Sequence, residues 1–257
     1  MRRFRFSAMW PLLLSLVVLP PSMAAAPAKL TLYTEHFPPY SFLQQQQVRG
    51  INADLLRFAC ERAEIECEFV TYPWLRAFEL VQKNPQSGIF SIVRTAKRVP
   101  LFQWVGPLVS SNAYLYRLKH RTDIKLQNLN DAKAYSIGVA HGDVYEEFFL
   151  AHGFAHGKNL VKFSTKSESF PLFLKGKIDL LISSELVVKA WLQQQENPPE
   201  VEIVLDVSMA GQNYLALHPA VPVAIAQALQ QALQQLETEG KVQPLIRTYQ
   251  QQHIPLL

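Results

Sequence analysis

The chain has 257 residues, room for one large domain or two modest ones, and 49% of them are hydrophobic, so a sizeable core is available. Basic side chains number 25 against 21 acidic ones. Three of the basic ones, Arg2, Arg3 and Arg5, belong to a leader over residues 1–24 that contains no acid. Removing it leaves 22 against 21, which takes away the electrostatic motive for a nucleic-acid or membrane-surface role.

The leader reads as an export signal. Its arginines precede the apolar run Trp10–Leu19, Pro20 and Pro21 break that run, and Ser22-Met23-Ala24 supplies small residues for cleavage after Ala24. The run is short for a membrane span, and no later one is long enough. No cysteine follows the run until Cys60, which argues against a lipid anchor at the cut. The expected location is the periplasm.

Leu30–Thr34 alternates as a first strand, stopped by Pro38-Pro39. Asn52 is placed to cap a helix from Ala53 to about Glu64, with Leu56, Ala59, Cys60 and Ala63 on one face. Cys67–Thr71 is the next strand. A helix from Trp74 to about Gln82 follows, ended by Asn84-Pro85. Gly88–Val93 is an apolar run typical of a buried parallel strand. The alternation of strand and helix implies a parallel sheet flanked by helices.

Ala113–Tyr116 is a further strand, after which a new unit begins. It comprises a strand over Tyr135–Val139, a helix from the cap Asp143 to about His152, and a helix capped by Ser167 that ends at Gly176. A strand over Ile178–Ile182 and a helix after Ser184 complete it. Val201–Leu205 and Tyr214–Leu217 are β-like. The tail from Val221 is helical, with an Ile225, Leu229, Leu233, Leu236 stripe and a second helix after Gly240. The division expected is 1–24 signal, 27–113 first lobe, 114–213 second lobe, and 214–257 returning to the first.

The turn after Gly88–Val93 carries the most chemistry. Ligands bind beyond the carboxyl ends of strands in open α/β sheets. Arg98 stands there, and its planar fork suits a carboxylate in two-point geometry. The competing reading is an ordinary solvated turn. Cys60 and Cys67, a C-x6-C pair with no histidine nearby, do not resemble a zinc site; export favours a disulfide over two free thiols. The seven histidines are scattered, and Gly153 separates His152 from His156, so no metal site is expected. There is no G-x-S-x-G, H-E-x-x-H or glycine-rich phosphate loop, hence no catalytic residue and no cofactor.

Over about Leu30–Tyr249 the chain resembles the solute-binding proteins of polar-amino-acid ABC importers. The carriers are Pro38-Pro39-Tyr40-Ser41-Phe42, Gly50-Ile51-Asn52-Ala53-Asp54-Leu55-Leu56, Thr95-Ala96-Lys97-Arg98, Phe102-Gln103-Trp104-Val105-Gly106-Pro107, Ser136–Gly142 and Gly176-Lys177-Ile178-Asp179. The resemblance implies an α/β fold of two lobes, the type II periplasmic-binding-protein fold, with two hinge strands near Ser110–Leu118 and Asp206–Leu217. It implies a monomer that closes over a small amino-acid-like ligand. It also implies a Cys60–Cys67 disulfide, as in histidine- and lysine/arginine/ornithine-binding members.

By that resemblance Arg98 grips the ligand carboxylate, Ser91 offers hydroxyl or backbone, Glu35 and Phe37 read the ligand side chain, and Trp74 lines an apolar wall. Thr95 opens the Arg98 motif. Two positions depart from the pattern. A hydroxyl residue is usual after Gly142, where Asp143 would repel a carboxylate, and the usual ammonium-binding aspartate falls on Ser184. The ammonium grip then passes to Asp143 or Glu35. Trp74 has core as its alternative, Tyr40 stacks on ligand or packs under its loop, and Arg76 caps the cleft or pairs with a nearby acid. The partner is an ABC permease or, in a rival reading, a membrane sensor. A third reading is an enzyme of the same fold, such as a cyclohexadienyl dehydratase-like lyase, with Glu35, Asp143 and Glu185 as its carboxylates.

Overall fold

The structure is a computed structural model that describes residues 28–207, 211–252 and 254. The leader read over residues 1–24 lies outside the described residues, as does His253.

In chain order the elements are β1 (Lys29–Thr34), a hairpin of β2 (Phe42–Gln44) and β3 (Gln47–Arg49), α1 (Ile51–Arg62), β4 (Glu66–Thr71), α2 (Trp74–Lys83), β5 (Ser87–Val93), β6 (Gln103–Val105) and β7 (Ala113–Leu118). Then follow β8 (Ile137–Ala140), α3 (Val144–Ala151), β9 (Leu160–Phe163), α4 (Ser169–Leu174), β10 (Leu180–Ser184), α5 (Glu185–Leu192), β11 (Val201–Asp206), β12 (Asn213–Leu217), α6 (Val223–Thr238) and α7 (Val242–Gln251).

The strands form two five-stranded sheets of the same design. The first runs β4-β1-β5-β12-β6 and the second β9-β8-β10-β7-β11. In each, three parallel strands are followed by one antiparallel strand and then one antiparallel to that. The fourth strand is the exchanged one. β7 leaves the neighbourhood of the first sheet to join the second, and β12 does the reverse. The two crossings touch at an antiparallel bridge between Ser110 and Gln212. The fold is therefore the type II periplasmic-binding-protein arrangement, with helices on the faces of both sheets and two crossing strands between them.

Local chemistry explains where the elements start. Gly50, not Asn52, sits at the N-cap of α1, with φ 123°. A Cβ there would lie 2.5 Å from the Tyr40 carbonyl oxygen, so only glycine fits the close approach. Asn52 is thus inside the helix, and its side chain is released for another task. Ser167 falls in a short 3-10 turn ahead of α4, so the helix it was expected to cap starts at Ser169. The β2–β3 hairpin, β6 and β9 had no clear sequence signal, being only three or four residues long.

Packing follows the pattern. Leu55, Leu56, Ala59 and Cys60 of α1 are buried, and Leu229, Leu233 and Leu236 give α6 its buried stripe. Cys60 and Cys67 form a disulfide that ties α1 to β4. Among the described residues no helix is long and apolar enough to cross a membrane.

Candidate functional site

The two sheets point the carboxyl ends of their parallel strands at each other. Glu35 follows β1, Arg98 follows β5, Gly142 and Asp143 follow β8, and Lys166 follows β9. The antiparallel strands enter from the opposite direction, so Ala113 at the head of β7 and Asn213 at the head of β12 reach the same place. The result is a cleft with about 20 Å³ of free space, room for roughly one water. It is closed by contacts between the two halves, one being the Trp74 indole N–H donating to the Gly142 carbonyl at 2.8 Å.

Ser91 reaches the cleft through a bulge. In the β5–β12 pairing Phe90 faces Leu215 and Ile92 faces Tyr214, leaving Ser91 without a partner. It takes φ 60°, a left-handed conformation unusual for serine. The Asn52 amide donates to its hydroxyl at 3.0 Å, and the Ser41 hydroxyl lies 3.3 Å away. Strain of this kind persists only where surroundings fix it, as the Asn52 bond does here.

Arg98 is buried, not an exposed turn residue. The Thr95 carbonyl accepts the amides of Arg98 and Val99 and folds the turn back. The guanidinium donates to Glu147 Oε1 at 2.9 Å and lies 5.2 Å from the Trp74 ring centre and 5.7 Å from that of Phe78. Weaker bonds go to the carbonyls of Gly142 and Val93.

Asp143 has the backbone of an N-cap to α3, yet its carboxylate makes no capping bond. Glu146 takes that work, accepting the Gly142 amide at 2.6 Å. Burial would raise the Glu146 pKa, but the Gly142 amide and the neighbouring His141 and His156 hold it below the usual carboxylate value. The Asp143 side chain is thereby free to turn into the cleft. Its Oδ1 lies 3.2 Å from Lys166 Nζ, and its Oδ2 is buried with no partner. The Asn213 side-chain nitrogen is also buried without a partner on the cleft wall.

Lys166 occupies the centre. Its ammonium donates to Glu35 Oε1 at 2.7 Å and lies 4.1 Å from the centre of the Phe37 ring and 5.9 Å from those of Trp74 and Tyr145. Burial alone would lower its pKa, but the Asp143 and Glu35 charges outweigh that and raise it, so it stays an ammonium. Burial pushes the Glu35 pKa above the usual value; Lys166 pulls it back, and Asp143 adds to the rise. The Lys166 ammonium is thus shared by two buried carboxylates.

The model of the bacterial extracellular solute-binding proteins, family 3, matches residues 30–252. The chain belongs to that family. Solved structures share the fold of this family-3 protein. An ancestral arginine-binding protein bound to arginine superposes with a TM-score of 0.75 at 20% identity, covering 86% of this chain and 98% of that one. An amino acid ABC transporter substrate-binding protein from Streptococcus pneumoniae, bound to L-arginine, gives 0.74 at 19%, covering 89% and 97%. A histidine kinase sensor domain similar to periplasmic binding proteins gives 0.77 at 16%, covering 87% and 96%.

Of the residues singled out in the family-3 sequence, Glu35, Phe37, Trp74, Ser91, Arg98 and Asp143 come together. Tyr40 and Ser184 lie behind the wall, both buried, with their hydroxyls 3.3 Å apart. Burial raises the Tyr40 pKa. Thr95 shapes the Arg98 turn through its carbonyl, and its hydroxyl is buried without a partner in the structure. Arg76 does not reach the cleft. The buried face of α2 is Trp74, Ala77 and Val81, which puts Arg76 on the outer face, where it pairs with Glu79 at 3.1 Å.

Lys166, Tyr145, Ser111 and Asn213 are the cleft residues with polar side chains that the sequence reading missed. Lys166 was hidden because β9 was not recognised; the carboxyl-end rule would have pointed to it. Asn213 was one residue outside the strand expected from Tyr214.

Proposed function

We propose that this protein captures a small α-amino acid or close relative in the cleft between its two sheets. The observation that carries the reading is the pair of unsatisfied polar groups. Asp143 Oδ2 needs a donor and the Asn213 amide nitrogen needs an acceptor, both buried on the cleft wall. Buried polar groups are rarely left unpaired, and a zwitterion meets both needs at once. In this reading the ligand ammonium goes to Asp143, and the carboxylate to Asn213 and the guanidinium of Arg98. Ser91 adds a hydroxyl, while Phe37 and Trp74 enclose the side chain. The free space is too small for the ligand, so entry requires the lobes to part and closure to follow binding. The protein acts by binding alone, without catalysis.

A thermal-shift screen of amino acids, amines and small carboxylates tests the reading. An amino acid that binds only the native state raises stability by roughly 2.7 kcal/mol at a hundredfold excess over Kd. A shift for an amino acid, with little or none for its separate amine and acid analogues, is the expected result. No shift with any of them contradicts it.

We further propose that the captured solute is handed to an ABC importer from the periplasm, where the leader directs the chain. Uptake of the radiolabelled ligand by cells with and without the gene is the test. Loss of uptake is expected. Unchanged uptake with an altered transcriptional response would assign the protein to a membrane sensor instead.

A further inference from the structure

We infer that Lys166 sets the specificity of the cleft: its ammonium is a tethered cation that fills the place of a basic ligand side chain and turns the site against lysine and arginine in favour of small uncharged amino acids. The inference rests on the cleft being the ligand site proposed above.

The surroundings of Lys166 Nζ make a cage for a cation. Two buried carboxylates, Glu35 and Asp143, lie at 2.7 and 3.2 Å. The Phe37 ring lies beneath at 4.1 Å, with Trp74 and Tyr145 closing the sides. Carboxylates and aromatic faces arranged in this way attract an alkylammonium or guanidinium group. Here the chain supplies that group itself.

Lys166 is anchored at its backbone. The Ser169 hydroxyl donates to its carbonyl at 3.0 Å. The preceding Thr165 hydroxyl is bound by Ser167 at 3.0 Å and by the Glu168 carboxylate at the same distance. The lysine side chain is 17% exposed, so it is a part of the wall and not a surface residue folded inward by chance. With it in place, Asp143 keeps one free oxygen, enough for one α-ammonium but not for a second cation. A basic side chain in the same cage would lie against Lys166, and a like charge at a few ångströms disfavours the charged form by a factor of about ten or more.

The test compares the parent with Lys166→Ala and Lys166→Met by thermal shift and calorimetry. The probes are n-butylammonium, lysine, arginine and a set of neutral amino acids. Butylammonium has no carboxylate, so it reports on the cage independently of Arg98. The parent is expected to ignore butylammonium. Lys166→Ala should be stabilised by it and should bind lysine or arginine at least about tenfold tighter than the parent does. Lys166→Met, which fills the space without charge, should not respond to butylammonium.

Should Lys166→Ala fail to fold with two unpaired carboxylates, Lys166→Ala/Glu35→Gln removes one of them and keeps Asp143; it is expected to bind the amine too. A folded variant that gains nothing for butylammonium, lysine or arginine overturns the inference. So does a parent that binds lysine or arginine as tightly as Lys166→Ala, because Lys166 would then be a displaceable plug. If the parent binds neutral amino acids while the variants gain nothing, the inference alone fails. If the variants gain the amine but no amino acid binds the parent, the cage stands and the cleft reading fails.

Discussion

The ammonium of Lys166 lies 2.7 Å from the carboxylate of Glu35, joining the loop after β9 in one sheet to the loop after β1 in the other. The two residues are 131 positions apart in the chain, and their meeting places a charged bond across the closed cleft. Its pH dependence follows from the raised pKa of Glu35. A carboxyl whose folded pKa lies above its unfolded value contributes stability that is fully present below the unfolded pKa and lost as pH rises through the folded one. The stability difference between the parent and Glu35→Gln should therefore move in favour of the parent as pH falls from 7 toward about 4.5, the ordinary glutamate value above which burial holds it. Denaturant melts of both proteins across that window measure it. A difference that moves the other way would mean that Lys166, not burial, dominates the titration of Glu35.

Asp143 is expected to hold the ligand ammonium. A hydrogen bond to a charged group is worth about 1.5–3 kcal/mol, so Asp143→Asn should weaken an amino acid roughly ten- to hundredfold and weaken its deaminated analogue less. Calorimetric titration of both ligands into both proteins gives the comparison. Equal losses for the two ligands would remove Asp143 from that role.

The disulfide closes a short loop between Cys60 and Cys67, seven positions apart. The chain-entropy relation for such a loop gives about 2–3 kcal/mol. Reduction, or Cys60→Ala with Cys67→Ala, should lower the denaturation free energy by about that amount and leave ligand affinity unchanged, since the bond joins the buried face of α1 to the edge strand β4 and neither cysteine lines the cleft. Free thiols titrating in the unreduced native protein would contradict the assignment.

The fold was legible because strand and helix alternate with clear periods, and because Asp143 and Gly240 mark element ends. The site was legible where a residue follows a recognisable strand, as Glu35, Arg98 and Asp143 do. It was not legible at Lys166, because Leu160–Phe163 is too short a strand to announce itself, with Val161 and Lys162 exposed. Asn213 depends on the exchange of β12 between sheets, a long-range event that no local pattern encodes. Arg76 illustrates the opposite error. Its neighbour Trp74 is in the cleft wall, but the helix turns Arg76 to the far side. The burial of Arg98 is likewise tertiary, since Glu147 comes from α3 while Trp74 and Phe78 come from α2.

Because Arg98 is buried and paired, its removal should be felt even without ligand. Arg98→Ala leaves Glu147 without its partner and is expected to cost about 1.5–3 kcal/mol of stability, read from denaturant melts. Arg98→Lys keeps the charge and loses the fork, so its cost should be smaller. A loss near zero for Arg98→Ala would show that the Glu147 pair and the aromatic stack contribute nothing.

The central claim is that Arg98 grips the carboxylate of an amino-acid ligand in this cleft. Calorimetric titration of the parent, Arg98→Ala and Arg98→Lys with the strongest amino acid from the screen, at a temperature where all three are folded, tests it most directly. Truncating one partner of a desolvated charge pair costs about 2–5 kcal/mol of binding. Arg98→Ala should therefore bind roughly thirty- to several-thousandfold more weakly, with Arg98→Lys between it and the parent. Binding of the same amino acid by folded Arg98→Ala as tightly as by the parent would contradict the claim.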